Sequence, residues 1–186
     1  YTDSPNGLYA DNATTQWMYI PSIDLTNATA AMISYYAKWD IETNFDYVQF
    51  QVSVDNGTTW VGQCTKYTVP GTSANGSVQP NNQPVYEGVK SDWVLDEVNL
   101  SDYLGQVIKV RFYFRSDGGM MYDGFYFDDF KIHYTNSGDV NLPSAYFTVS
   151  DDSACINQDL TFTDYTSFFP TVWNWNFGDG NVSSQQ

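Results

Sequence analysis

Acidic side chains are the most numerous groups in this sequence that could carry out chemistry. The 186 residues include 22 Asp and Glu against 7 Lys and Arg, which gives a formal net charge of −15 at pH 7. Two carboxylates can cleave a glycosidic bond when they lie about 5–10 Å apart across a cleft. In so acidic a chain such pairs also arise by chance, and no motif marks one of them. The carboxylates therefore predict no catalytic pair.

Other reactive side chains are few. His133 is the single histidine, and Cys64 and Cys155 are the two cysteines, so neither a histidine-rich zinc site nor a thiolate cluster can form. A nucleophilic pair of Cys64 and His133 stays open, although no motif orients it. The sequence thus predicts no catalytic residue, and an enzyme in its own right is an alternative for an activity assay to test.

Charge and hydropathy exclude two classes of partner. Seven basic residues in a chain with a pI near 4.1 cannot neutralise a row of phosphates, so nucleic acid is excluded. No apolar run approaches the ~20 residues that cross a bilayer, so no membrane span is predicted. The aromatic content of 18%, with much Asn, Thr and Gly, is typical of strands and turns.

The elements that must position these residues are predicted to be β-strands. Residues 48–54 and 108–114 alternate apolar with polar side chains, which is the period of a strand with one buried face. No segment sustains a helical period, and only residues 26–32 could form a helical turn. Strands separated by turn signals predict an all-β fold, an antiparallel β-sandwich of the jelly-roll type. Further strands are expected within 17–20, 32–39 and 125–132.

A long segment between two strands, residues 68–88, contains three prolines and is rich in Asn and Gln. Proline cannot donate to a sheet ladder, so this segment is not a central strand. It is predicted to be a surface loop, and two interpretations stay open. A loop of this length can be functional, or it can be a packed loop that covers one end of the sandwich.

Residues 53–60, S-V-D-N-G-T-T-W, match the Asp-box pattern S-x-D-x-G-x-T-W. Asp55 can accept hydrogen bonds from turn N–H groups, Gly57 can adopt positive φ, and Trp60 can return to the sheet as an anchor. The pattern predicts a β-hairpin. A sialidase-like propeller would need several copies, and this chain has one.

Five motifs in a fixed order point to a known kind of module. The motifs are T-D-S-P-N-G at 2–7, Ile41-Glu42 followed by Asp46-Tyr47, the Asp box, L-S-D-Y-L-G-Q at 100–106, and D-G-F-Y-F-D-D-F-K-I at 123–132. Taken together, they resemble the jelly-roll, MAM or immune inhibitor A-like β-sandwich that follows the catalytic domain in secreted bacterial zinc carboxypeptidases and metallopeptidases. The resemblance covers about residues 1–134.

The resemblance implies a non-catalytic accessory module of a secreted or cell-surface protein. Its partner would be the catalytic domain of the same polypeptide, a zinc metallopeptidase and specifically a carboxypeptidase. The module would stabilise the enzyme, space it from the cell surface or hold protein substrate.

The resemblance and one physical argument together predict a structural calcium ion. Adjacent Asp128 and Asp129 should point to opposite faces of a strand, so one of them is expected inward or at an edge, where an unpaired charge is costly. Calcium takes six to eight oxygen ligands and would neutralise such a carboxylate. Alternatively, these acids only cap turns or lie on the surface. The candidate ligands are Asp3, Glu42, Asp46, Asp123 and Asp129.

A calcium-dependent carbohydrate-binding module is the alternative function, because jelly rolls with calcium and exposed aromatic rings commonly bind glycans. The rings that could stack on a sugar are Trp39, Tyr86, Trp93 and Tyr122. This alternative requires the rings to be exposed in a row on one sheet face, and buried rings would exclude it.

A second domain is predicted after a short polar linker. The segment near 136–143 carries Gly and Pro and separates two strand-rich stretches, so the domains are placed at 1–136 and 144–186. W-N-W-N-F-G-D-G at 173–180 resembles the PKD domain, an Ig-like sandwich. Such sandwiches have about 100 residues, so the N-terminal half of one is expected here. Cys155 is expected to have its disulfide partner in the other half, and no bridge to Cys64 is expected.

Overall fold

The computed structural model describes residues 1–2, 4–5, 7–19, 21–136, 146–150, 160–164, 166 and 172–185. The chain divides into two compact units, Tyr1–Asn136 and Ser137–Gln186. Within the described ranges, no helix has the length and apolar character needed to span a membrane.

The described residues of the first unit form ten strands and two short 3-10 turns, at Ala74–Gly76 and Ser101–Tyr103. The strands are β1 (Thr14–Met18), β2 (Ile23–Asp24), β3 (Ala28–Ile41), β4 (Tyr47–Ser53), β5 (Val61–Gly62), β6 (Val69–Pro70), β7 (Pro84–Val85), β8 (Gly88–Asn99), β9 (Val107–Arg115) and β10 (Gly124–Asn136).

Two antiparallel sheets form the sandwich. The five-stranded sheet has the order β1-β9-β4-β5, with β2 also paired to β9, and the three-stranded sheet has the order β10-β3-β8. The all-β, antiparallel sandwich expected from the alternating patterns is confirmed. Strands β4 and β9 lie where the period-2 segments predicted them, and β4 pairs with β9 along its whole length, from Tyr47 opposite Arg115 to Ser53 opposite Lys109.

Aromatic rings fill the space between the sheets. Phe112 of β9 lies 4.5 Å from Phe127 of β10 and 4.9 Å from Tyr35 of β3, measured between ring centroids. Phe50 of β4 lies 5.1 Å from Phe112. All four rings are buried. Since the contacts join strands of both sheets, this ring cluster holds the two layers together.

The long loop at 68–88 packs against β4, and the choice between a functional loop and a covering loop stays a prediction. Strands β6 and β7 pair with each other within it, and Tyr86 forms a bridge to Val48 of β4. Gln49 of β4 donates from Nε2 to the carbonyl oxygen of Pro84 at 3.0 Å. All seven residues of β4 are buried. On the face away from the ring cluster, Gln49 contacts the loop, Gln51 contacts Arg111 and Ser53 contacts Asp55.

Two local expectations differ from the structure. A helical turn was possible over 26–32, but residues 28–32 of that segment belong to strand β3, which pairs with β10 and β8. Asp128 and Asp129 are both exposed on β10, an edge strand of the three-stranded sheet, so of the two expected placements, inward or at an edge, the inward one is absent. The reason is a bulge between Asp128 and Lys131, where Asp129 adopts φ of 50°.

The described part of the second unit contains two antiparallel pairs, β11 (Phe147–Val149) with β12 (Phe162–Asp164) and β13 (Trp175–Asn176) with β14 (Val182–Ser183). Rings from both pairs meet, with Phe147 5.5 Å from Trp175 and Phe162 5.1 Å from Phe177. Cys155, and with it the expectation about its bridge, lies outside the described residues, whereas Cys64 is free and exposed.

Candidate metal centre

Three carboxylates converge at one end of the sandwich. Glu42, Asp46 and Asp117 each place an oxygen within 4.8 Å of the others. Glu42 follows the end of β3, Asp46 directly precedes β4, and Asp117 comes two residues after β9. Because β4 and β9 are antiparallel and Tyr47 lies opposite Arg115, the start of one strand and the end of the other share this end. We call these three residues the carboxylate triad.

Asp46 is the buried member of the triad. Its Oδ2 accepts a hydrogen bond of 2.7 Å from the phenol of Tyr9, and its Oδ1 accepts one of 2.7 Å from the backbone N–H of Asp117. Its own backbone N–H donates to the carbonyl oxygen of Glu42 at 3.2 Å. The carboxylate is therefore fixed in orientation by the turn that precedes β4 and by the segment that follows β9.

The loop after β9 anchors the other two members. Glu42 accepts a hydrogen bond of 3.2 Å at Oε2 from the backbone N–H of Met120, and Asp117 accepts one of 2.6 Å at Oδ1 from that of Gly119. Gly119 has a packing role here, since a Cβ at this position would lie 2.8 Å from Oδ1 of Asp117 and 3.1 Å from Oε2 of Glu42. The glycine thus allows the loop to close over the triad.

Mutual repulsion acts within the triad. Burial raises the pKa of Glu42, and the charges of Asp46 and Asp117 raise it further. Burial also raises the pKa of Asp46, with smaller contributions from the charges of Asp117 and Asp11, while hydrogen bonds from Tyr9 and Asp117 oppose the change. No lysine or arginine is among the groups that set either pKa. A cation would therefore relieve an unfavourable arrangement.

The structure brings together two of the five predicted ligands, Glu42 and Asp46. Asp3 lies outside the described residues. Asp123 is not in the triad, and its Oδ1 accepts a hydrogen bond of 2.9 Å from the phenol of Tyr126. Asp129 is not in the triad either, because it sits in the β10 bulge with its N–H donating to Oδ1 of Asp128 at 2.9 Å.

Asp117 is the triad member that the sequence reasoning missed. It stands at the start of D-G-G at 117–119, which reads as a turn and nothing more. The signal that could have found it is positional. If the predicted strands 48–54 and 108–114 are antiparallel neighbours, the start of the first lies beside the end of the second. Asp46 comes just before the first strand and Asp117 just after the second, so the two acids would meet.

The rings proposed to stack on sugars do not form an exposed row. Trp39 and Tyr86 are buried, and Tyr122 is partly buried against the ring cluster. Trp93 is exposed over 47% of its surface. The condition set for the carbohydrate-binding alternative therefore fails for Trp39 and Tyr86.

Cys64 and His133, the nucleophilic pair left open by the sequence, are positioned by strands of different sheets. His133 lies on β10 and shares a hydrogen bond of 3.0 Å between its Nε2 and Oγ of Ser34, on the neighbouring strand β3. Cys64 follows β5 in the other sheet and is exposed. The imidazole is thus held by a cross-strand hydroxyl, as in a structural histidine.

The first unit is thus a β-sandwich module that carries the carboxylate triad at one end. Its family is given by comparison with known proteins, because residues 10–166 match the family described as "Immune inhibitor A-like, MAM domain". The chain belongs to this family. The match extends past Asn136 into the second unit, and it does not show that the second unit is a PKD domain.

Three relatives come from bacteria. Bacillopeptidase F of Bacillus subtilis (strain 168) is 25% identical over 138 residues, 74% of this chain and 8% of that protein. Immune inhibitor A of Bacillus thuringiensis subsp. alesti is 28% identical over 113 residues, which cover 60% of this chain and 15% of that protein. Pre-pro-metalloprotease PrtV of Vibrio cholerae serotype O1 is 29% identical over 102 residues, which cover 55% of this chain and 10% of that protein. The chain thus spans between 8% and 15% of the lengths of these relatives.

Proposed function

We propose that this chain is a non-catalytic accessory module of a secreted bacterial peptidase and acts beside a catalytic domain in the same polypeptide. The observation that supports this most directly is its match to a small share of proteins named as a peptidase and a metalloprotease. The family assignment points the same way. The module would stabilise or space the catalytic domain, or hold protein substrate.

A narrower form of the proposal names the catalytic partner as a zinc metallopeptidase. The printed name of the Vibrio relative supports a metalloprotease. Carboxypeptidase specificity is narrower still and rests on the motif resemblance alone. A panel of blocked and free-ended peptides, offered to the whole protein with and without a zinc chelator, separates these possibilities. A carboxypeptidase requires a free C-terminus, whereas an endopeptidase also cuts blocked peptides.

The accessory role is tested by comparing the isolated chain, the whole protein and the whole protein lacking residues 1–136. We expect the isolated chain to hydrolyse neither peptides nor glycosides. Deletion should leave kcat for a short peptide largely intact while raising KM for a folded protein substrate or lowering the thermal stability of the enzyme. Hydrolysis by the isolated chain would contradict the proposal, and so would a deletion with no effect on KM or stability.

We also propose that the carboxylate triad holds a structural calcium ion. The donor set fits a hard cation, since three carboxylates lie within 4.8 Å of one another and calcium prefers oxygen ligands. The ion would neutralise charges that burial and mutual repulsion otherwise disfavour. Binding to the folded state alone stabilises it by about 2.7 kcal/mol at a calcium concentration one hundred times the Kd.

Calcium titration followed by thermal unfolding tests this site. We expect calcium to raise the Tm of the wild-type chain and EDTA to reverse the effect. Glu42→Gln and Asp117→Asn should abolish the response. Asp92→Asn is the matched control, because it removes one exposed acid from β8, outside the triad, and should respond like wild type. Equal responses in all four proteins would contradict the site.

The second unit is proposed to be part of a PKD domain. Two observations support this, the rings gathered by its strand pairs and the hydrogen bond of 2.7 Å from Nε1 of Trp173 to Oδ2 of Asp164. In the 186-residue chain, the second unit should unfold in a transition of its own, separate from that of the first unit. Trp173→Phe should weaken that transition without changing the unfolding of the first unit.

A further inference from the structure

The face of the five-stranded sheet that points away from the ring cluster gathers positive charge. Lys109, Arg111 and Arg115 stand at alternate positions of β9 and account for three of the seven basic residues of the chain. The even-numbered residues between them are buried in the core. Since side chains alternate across a strand, the three cations share the outer face of the sheet.

Neutral groups hold Arg111 in place on this face. Its Nε donates a hydrogen bond of 2.7 Å to Oε1 of Gln51, and its Nη1 donates one of 2.6 Å to Oε1 of Gln16. Its Cζ lies over the rings of Trp60 and Tyr113, 4.0 and 4.7 Å from their centroids. Among the described residues, no hydrogen bond or ion pair joins Arg111 to a carboxylate.

An arginine whose side chain is already held in place suits a carboxylate ligand. A guanidinium has five N–H groups, so the two glutamines leave three for another acceptor. The planar fork matches a carboxylate through two parallel hydrogen bonds. Because Gln16, Gln51 and the two rings fix the side chain beforehand, little conformational entropy is lost when a ligand binds.

The spacing of the three cations selects an extended chain as the ligand. Outward positions two residues apart on a strand lie about 7 Å from each other. Arg111 stands one such step from Lys109 and two steps from Arg115. An extended peptide that lies along β9 presents its alternate side chains at the same spacing. Asp or Glu at alternate positions would therefore meet the cations in turn.

We propose that this Arg111 surface, made of Lys109, Arg111, Arg115 and Trp60, binds an extended acidic segment of a protein ligand. Charge complementarity carries the affinity, and the fork of Arg111 fixes the register. The proposed accessory role supplies the biological setting only, because the binding is a property of this chain and is measured without any peptidase activity.

The test is a fluorescence anisotropy titration of a labelled peptide, with Glu at alternate positions, by the 186-residue chain. We expect saturable binding that weakens as salt is added. Arg111→Gln should reduce the affinity about tenfold or more, since it removes a charge-assisted bidentate contact. Arg111→Lys keeps the charge without the fork and should also bind more weakly than wild type. Lys131→Gln, an equal charge change at an exposed position of β10, should stay within about twofold of wild type.

Four results would overturn the proposal. They are no saturable binding by wild type, an equal loss in Arg111→Gln and Lys131→Gln, equal affinity for a peptide with the same Glu residues in one block, and binding of polygalacturonate in place of the peptide. Thermal unfolding of each variant verifies its fold. If Arg111→Gln does not fold, the double variant Lys109→Gln/Arg115→Gln takes its place, and it must lower the affinity more than Lys131→Gln does.

Discussion

The phenol of Tyr9 donates a hydrogen bond of 2.7 Å to Oδ2 of Asp46, a carboxylate that is fully buried. The same phenol oxygen accepts a hydrogen bond of 3.2 Å from the backbone N–H of Glu42. A buried carboxylate has lost its water shell, so each hydrogen bond it accepts replaces part of that loss. Tyr9 therefore joins the N-terminal segment to the carboxylate triad and stabilises its least exposed member.

Removing this phenol should destabilise the first unit. Tyr9→Phe leaves the ring in the core but deprives buried Asp46 of a donor, so we expect the free energy of unfolding to fall by about 1–3 kcal/mol. Urea denaturation monitored by tryptophan fluorescence measures the difference. Tyr126→Phe is the control, because it removes a phenol to carboxylate bond at the exposed Asp123 and should cost less than about 0.5 kcal/mol. Equal losses would show that burial of Asp46 has no role.

The triad should make stability fall as pH rises when calcium is removed. Burial raises the folded-state pKa of both Glu42 and Asp46, so the protonated forms are favoured by folding. This stabilisation is complete below the unfolded-state pKa values, 4.5 for Glu42 and 3.8 for Asp46. It is lost as pH rises through the raised pKa values of the folded state. In EDTA, the Tm of wild type should therefore drop between about pH 4 and pH 7 by more than that of Glu42→Gln. Parallel curves would contradict the repulsion.

The Asp box should have the opposite pH dependence. Hydrogen bonds from the Thr59 side chain and backbone, and from Ser53, lower the pKa of Asp55 to about 2. The stabilisation is present above the unfolded value of 3.8 and is lost as pH falls to about 2. Asp55→Asn should melt below wild type at pH 7, and the two melting curves should converge near pH 2. Asp102→Asn, in an exposed 3-10 turn, should follow wild type throughout.

Asp96 should stabilise an edge of the three-stranded sheet. It is buried on the edge strand β8, where it accepts hydrogen bonds from the phenol of Tyr86 and, at 2.9 Å, from the backbone N–H of Glu97. Asp96→Ala leaves both donors without this acceptor, and we expect a loss of about 2–4 kcal/mol. Chemical denaturation measures it. Asp92→Ala, an exposed acid on the same strand, should change stability by less than about 0.5 kcal/mol.

The same residue explains why β8 could not be predicted. Val94, Val98 and Leu100 alternate as an inward face, but Asp96 occupies the inward position between them. A carboxylate at that position breaks the hydrophobic period on which strand prediction depends. Its partner Tyr86 comes from the long loop, and no local pattern announces that contact. Strands β4 and β9 were predictable because apolar residues occupy their inward positions without interruption.

The candidate sites likewise contain some residues that the sequence could predict and others that only the pairing of strands reveals. Glu42 and Asp46 were predictable because family motifs mark them, whereas Asp117 joins them only through the pairing of β4 with β9. The bulge at Asp129 could not be foreseen, since it follows from how β10 fits against β3. The environment of Arg111 was also hidden, because Gln16 and Gln51 come from two other strands.

The packed loop has a consequence for how the sandwich opens. Its Tyr86 exchanges backbone hydrogen bonds with Val48, so the loop and β5 together cover the edge of β4 that points away from β9, and all seven residues of β4 are buried, in contrast to the edge strand β8. Amide hydrogens in such a strand exchange with solvent only when the whole unit unfolds, whereas those at an edge exchange through local fluctuations. We therefore expect the amides of β4, which this irregular, proline-bearing segment helps to cover, to be among the slowest to exchange in the strands that the structure describes.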